Sequence, residues 1–278
     1  MLDTSMLEFL AAPFVASLIL TGIHAYLGVH VVERGVIFVD LSLAQIAALG
    51  ATIALLLPVS NGDPHSTVVY WISLAFTFIG AFVFSTIRSR RKRIPQEAII
   101  GICYAVASAA AILAMSKATS ESEHLKDMLV GNILAVSWDE VGKTALLYGA
   151  IGAFHYVFRH RFLAISLDPV KAETEGVRVK LWDFLFYASF GFVVTSSVSI
   201  AGVLLVFCYL IVPSVAAMLY ADTIGKRLAI GWTMGTVVSA LGVYLSLRAD
   251  LPTGATIVCT FGLVLVLMAA VKPLIHRS

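Results

Sequence analysis

The stretch from Val36 to Leu57 reads VIFVDLSLAQIAALGATIALLL, and one charge, Asp40, interrupts it. A bilayer core roughly 30 Å thick takes about 20 apolar residues to cross as a helix, so this stretch alone points to lipid as the solvent. Eight further apolar segments of similar length flank it: Phe9 to Val31, Val68 to Ile87, Ala98 to Met115, Val141 to Phe158, Phe184 to Val198, Gly202 to Tyr220, Leu228 to Leu247 and Gly254 to Val271. The sixth and seventh nearly merge around residues 198–202. Hydrophobic residues make up 59% of the 278 and charged residues 13%, against about 25% charged in a soluble domain. The expected fold is an all-α polytopic bundle of about nine transmembrane helices, one membrane domain over residues 1–278. The first segment is too long for a signal-peptide core and lacks a basic leader, so it is expected to be retained.

Orientation follows from the basic residues. With the run Arg88 to Arg93 placed in the cytoplasm and the spans alternating from there, fifteen of the nineteen Lys and Arg fall on the cytoplasmic side. Lys117, Lys126, Lys143 and Arg248 fall outside. The positive-inside rule then gives an N-terminus outside and a C-terminus in the cytoplasm. A net charge of +2 makes no case for nucleic acid, because the basic runs flank membrane. Cys103, Cys208 and Cys259 all lie within spans and in no C-x-x-C pair, which reads as packing. Small residues are dense in the spans, as lipid-embedded helix packing requires.

Two longer connections stand out. The outer one, Ser116 to Glu140, ends in the apolar run Met128 to Val136, too short to span and expected to form an interfacial helix or re-entrant dip. The inner one, residues 159–183, contains DPVKAETEG. Asp168 suits an N-cap, Pro169 the first helical position and Gly176 a left-handed C-terminal turn. A surface helix of about two turns is expected there.

Catalytic devices are missing. Gly142-Lys143-Thr144 lacks the earlier glycine of a phosphate-binding loop, so ATP is not bound by that device, and no metalloprotease or serine-hydrolase motif is present. Asp40 is the conspicuous acid, since intramembrane carboxylates are costly and mark ion pathways or polar partners. The competing account is a charge partner for nearby Arg34. Gln45 lies five residues on, about 140° around an ideal helix, so the two do not share a face unless the helix is irregular. His24 and His30 are expected to be hydrogen-bonded within the bundle, His65 and His124 to be solvated in outer loops, and His155 and His160 to sit at the inner interface. Pro213, beside Ser214, Ala216 and Ala217, is expected to kink its span.

Six segments in order resemble the bacterial ABC importer permeases for zinc, manganese and iron: GVIFVDLSLAQIAALG (Gly35 to Gly50), EAIIGI (Glu97 to Ile102), VGNILAV (Val130 to Val136), Asp168-Pro169 with Ala172 and Gly176, GVLLV (Gly202 to Val206) with LIVPSVAA (Leu210 to Ala217), and LPTGATIV (Leu251 to Val258). The resemblance implies a homodimer in the bacterial cytoplasmic (inner) membrane. It implies a separate cytoplasmic ATPase on each protomer and an extracytoplasmic protein that delivers the metal. This chain would bind no cofactor, the divalent ion being cargo. Asp40, Gln45, Pro213 and Ser214 would line the pathway, with Asp40 touching the metal. Asp168, Pro169, Ala172, Glu173 and Gly176 would couple to the ATPase. The family's second-span histidine is not matched: Ala44 holds its place in one register and Gln45 in the other. Oxygen donors without imidazole suit harder ions such as manganese better than zinc. A permease for a metal chelate or cobalamin-like ligand is the alternative within transport, and a self-contained secondary transporter the alternative outside the family.

Overall fold

A computed structural model describes residues 4–60, 66–87, 95–116 and 133–275. The basic run Arg88 to Arg93, His65, His124 and the first part of the Met128 to Val136 run lie outside the described residues. In that run the structure describes a single 3-10 turn, Ile133–Ala135. Ten α-helices follow in order: α1 Thr4–Arg34, α2 Val39–Leu56, α3 Thr67–Ile87, α4 Gln96–Met115, α5 Trp138–Val157, α6 Arg159–Leu167, α7 Pro169–Thr174, α8 Val179–Tyr220, α9 Ile224–Ala249 and α10 Thr253–Ile275. No strand occurs among the described residues.

Seven of these helices are long and apolar enough to cross a bilayer. At 42 residues, α8 is about twice the length one crossing needs. Gly202, at φ 75° and ψ 160°, breaks it into 179–201 and 203–220, at the join left open between the sixth and seventh spans. α5 has the length to cross but carries Asp139, Glu140 and Lys143 near its start. With α8 taken as its two halves and α5 added, the described residues hold nine helical stretches of spanning length, in keeping with the count of about nine that the sequence predicts. The backbone break is at Gly202 and not at Pro213, because α8 stays helical through the proline. A proline leaves one carbonyl of the preceding turn without its N–H, and local adjustment in a membrane helix absorbs that loss.

The chain packs as two compact units: Met1–Val32 with Lys126–Ala153 and Ser197–Ser278, and Glu33–Leu125 with Phe154–Ser196. In the first, α1, α8 and α9 close on one another through small residues. A Cβ on Gly28 would stand 1.9 Å from the Leu210 carbonyl oxygen, and one on Gly235 2.3 Å from the Thr21 methyl. Polar side chains tie the same helices. His24 bonds the Leu20 carbonyl through Nδ1 at 2.7 Å and the Ser197 hydroxyl through Nε2 at 3.2 Å, and Ser197 in turn bonds Tyr148 of α5. The Trp232 indole donates to the Gly22 carbonyl at 3.0 Å. His24 is thus a bundle hydrogen-bonder, as expected.

In the second unit α2 packs on α3 and α4. Ser73 donates to the Ala47 carbonyl at 2.8 Å, and Gly50 and Gly80 admit Phe76 and Ile46 at contact distance. Gln96 bridges the Phe84 carbonyl and the Tyr187 hydroxyl. His155 departs from its expected interfacial place: it is 1% exposed, stacked on Phe162 at 4.3 Å and bonded to Ser189. Phe154, Phe162 and Phe186 surround it with apolar rings, which explains why a residue near a span end is drawn inward.

These contacts separate two glycines of α1. Gly28→Ala drives a methyl into a carbonyl and should cost about 1–3 kcal/mol, whereas Gly22 has open space around it and Gly22→Ala should gain up to about 1 kcal/mol in helix propensity. Unfolding of the detergent-solubilised protein by SDS titration measures both; a loss at Gly22 equal to that at Gly28 contradicts the packing described.

Candidate translocation site

Asp40 sits in the first turn of α2 with a relative exposure of 1%. Neither carboxylate oxygen has a hydrogen-bond partner. The reading that paired it with Arg34 is not what the structure shows. The Arg34 side chain, the last of α1, lies 2.7 Å from the Asp183 carboxylate, and the two are 1% and 0% exposed. Asp183 was missed in the sequence, where it was placed at the end of the cytoplasmic connection. It lies instead one turn into α8, and the signal was available: Trp182 and Phe184 flank it, and Phe186 and Tyr187 follow.

α2 begins through an unusual cap. Phe38 occupies the N-cap position without a capping side chain of its own. The Glu97 carboxylate of α4 accepts the Phe38 backbone N–H at 2.9 Å. A carboxylate at a helix start meets the positive end of the helix dipole, so Glu97 pins the turn that carries Asp40. Its second oxygen is buried without a partner, as is the Ser42 hydroxyl. Buried polar atoms are paired in the great majority of cases, so this concentration of exceptions at the start of α2 is notable. The helix itself is regular from Val39 to Leu56. Gln45 therefore sits about 140° round from Asp40 and is half-buried. The structure does not bring the two onto one face.

Pro213 and Ser214 belong to the first unit and Asp40 and Gln45 to the second. Pro213 is buried against Gly231 of α9. Ser214 donates to the Leu210 carbonyl at 2.9 Å and approaches the Ala25 carbonyl at 3.4 Å. Both are helix-packing residues in this conformation. Among the described residues no group of three or more His, Cys, Asp or Glu stands together to hold a metal.

The capped segment within residues 159–183 forms as its sequence predicts. Asp168 accepts the Lys171 backbone N–H at 2.9 Å, Pro169 opens α7 and Gly176 takes φ +83°. The Val177 N–H reaches the Ala172 carbonyl and the Gly176 N–H the Glu173 carbonyl, the Schellman pair that closes a helix. Ala172 is 1% exposed and seats the helix, while Val170 and Glu173 face outward.

Residues 6–272 match the model of the ABC 3 transport family, and the chain belongs to that family. It is thereby a multi-pass membrane protein and a transport permease subunit. It is 29% identical over 202 residues to the manganese transport system membrane protein MntC of Listeria monocytogenes, covering 70% of this chain and 71% of that one. It is 25% identical over 260 residues to a Haemophilus influenzae protein named "Probable iron transport system membrane protein", covering 93% and 92%. PsaBC from Streptococcus pneumoniae, solved in complex with Fab, shares the fold at a TM-score of 0.77 and 22% identity, over 94% of this chain and 91% of that one.

The cap on α7 yields a local prediction. Asp168→Ala should cost about 1 kcal/mol of helix stability and speed hydrogen exchange at the Lys171 amide about fivefold, with the membrane helices unchanged. Exchange followed by mass spectrometry or NMR reads this directly, and an unchanged Lys171 rate contradicts the cap.

Proposed function

We propose that this chain is the membrane-spanning permease of an ATP-driven importer of divalent transition-metal ions, with manganese the cargo it suits best. It works as a homodimer in the bacterial cytoplasmic membrane, N-terminus outside. An extracytoplasmic protein delivers the ion, and a cytoplasmic ATPase docks on each protomer at the segment centred on α7. Family membership supports the transport class and weighs against a self-contained secondary transporter. The names of the manganese and iron relatives support the cargo class.

Asp40 is the observation that carries the reading. A carboxylate removed from water without a counter-charge costs several kcal/mol, and an intramembrane acid marks an ion path by default. One carboxylate is a sparse donor set for a divalent ion. The missing histidine leaves oxygen donors that favour manganese over zinc. In the present conformation the carboxylate is closed off inside its unit, so the ion reaches it only when the start of α2 shifts. Ser42 and the second Glu97 oxygen, both unsatisfied, are available to the same end of α2. The capped α7 offers Val170, Glu173 and Lys171 as the outward face that an ATPase would grip, with Asp168, Pro169, Ala172 and Gly176 holding it rigid.

Asp40→Asn keeps the shape and removes the charge. In cells that depend on this permease for manganese, accumulation of radioactive manganese should fall at least tenfold with normal amounts of assembled protein in the membrane. Accumulation at the normal level contradicts the assignment of Asp40. A wild-type permease that restores zinc but not manganese accumulation contradicts the cargo.

A further inference from the structure

We infer that the buried Arg34–Asp183 pair is the joint through which movement of the cytoplasmic segment reaches the Asp40 helix; this rests on the importer reading above. Residues from three helices, all within the second unit, meet at a single guanidinium. Arg34 ends α1, its Nη1 lies 2.7 Å from Asp183 of α8, and its Nε donates to the Ser166 hydroxyl of α6 at 2.9 Å. Its central carbon stands 3.9 Å from the centre of the Phe186 ring, a cation–π contact of the kind that strengthens when desolvated. Phe162 and Trp182 add an edge-to-face contact between α6 and α8 beside it, at 5.4 Å. A planar fork of five donors can hold two elements at once in fixed register, which a point charge or an apolar contact cannot.

The chain connectivity on each side of the joint matters. Two residues beyond Ser166 comes Asp168, the cap of α7, so any push on α7 arrives at Ser166 within one turn of helix. On the other side Gly35 follows Arg34 with φ +64°, a conformation in which a glycine reverses the chain without strain. Val39 then opens α2, and Asp40 is the next residue. The path from docking helix to orphan carboxylate is therefore α7, Ser166, Arg34, Gly35, α2, with no long flexible segment in it.

Stability alone does not account for a buried ion pair. Replacing one by apolar residues of similar size is often neutral or favourable, whereas breaking one by removing a single partner is strongly destabilising. What the charged pair supplies here is a geometry with discrete positions. Arg34 can leave Ser166 or Asp183 only by exchanging one charge-assisted bond for another, so α6 displaces the start of α2 by a defined step. Arg34 and Asp183 act on the ion through α2 and are positioning residues, not ligands.

The test separates holding from transmitting. The paired change Arg34→Met with Asp183→Leu removes the charges together and keeps the volume, and Ser166→Ala cuts only the tie to α6. Each is expressed with the ATPase that copurifies with the wild-type permease, and three quantities are read: thermal stability in detergent, ATPase retained, and radioactive manganese taken up per ATP hydrolysed in proteoliposomes. The joint predicts near-normal stability and a retained ATPase for both, with manganese per ATP falling at least tenfold in the paired variant and severalfold in Ser166→Ala. Normal manganese per ATP in either variant overturns it. Loss of the ATPase together with uptake also overturns it, since the pair then shapes the docking face and transmits nothing. If the paired variant does not insert, Ser166→Ala decides by the same ratio. Failure of the wild type itself to retain an ATPase or take up manganese counts against the importer reading instead, and is seen before any variant is compared.

Discussion

Burying a carboxylate away from water is the constraint on which the rest of this structure turns, and one unit of the chain meets it in two opposite ways. Asp183 is wholly buried but held at 2.7 Å by Arg34, whose guanidinium is itself bonded to Ser166 and laid over Phe186. Asp40, six residues beyond that arginine, has no partner for either oxygen. The arginine nearest in sequence is turned to Asp183. It bonds Asp183 and Ser166, and Asp40 stands without a partner at the start of α2. A paired acid makes a rigid point in a membrane protein, and an unpaired one makes a place where a cation is welcome. Here the two are separated by one glycine turn and the first residues of a helix.

Much of the architecture was legible because lipid imposes simple rules. Spans had to be long and apolar, and the helices follow them closely. The merge of the sixth and seventh spans was visible as an unbroken apolar run, and the chain resolves it with Gly202 in a backbone conformation open to glycine. The two-turn α7 was legible down to its capping atoms, because an Asp-Pro start and a Gly stop are local devices that need no tertiary partner. Pro213 was legible only in part. A proline removes a hydrogen bond wherever it stands, but the contacts it makes depend on neighbours, and Gly231 and Gly28 let α8 come into tight contact with α9 and α1 there.

The site was legible only in part. Asp40 announced itself by standing alone in an apolar run. Its isolation could not be read, since Arg34 stood near it in sequence and only folding shows that Asp183 claims that charge from 149 residues away. Glu97 was visible as part of a motif, yet its use as a borrowed cap for α2 depends on α4 packing beside α2. His155 looked interfacial by position and proved to be a buried, stacked ring. In each case the missing information was a long-range contact between helices, which periodicity and local chemistry do not carry.

Binding of manganese to the purified permease tests the central claim most directly. Free Mn²⁺ in water has a strong six-line electron paramagnetic resonance signal that weakens when the ion is held by protein oxygen donors. The account predicts saturable loss of that signal with the wild-type permease, and none beyond background with Asp40→Asn at the same protein concentration. Equal, saturable binding by both proteins would contradict it, because the ion would then be held without the one carboxylate that the fold leaves unpaired.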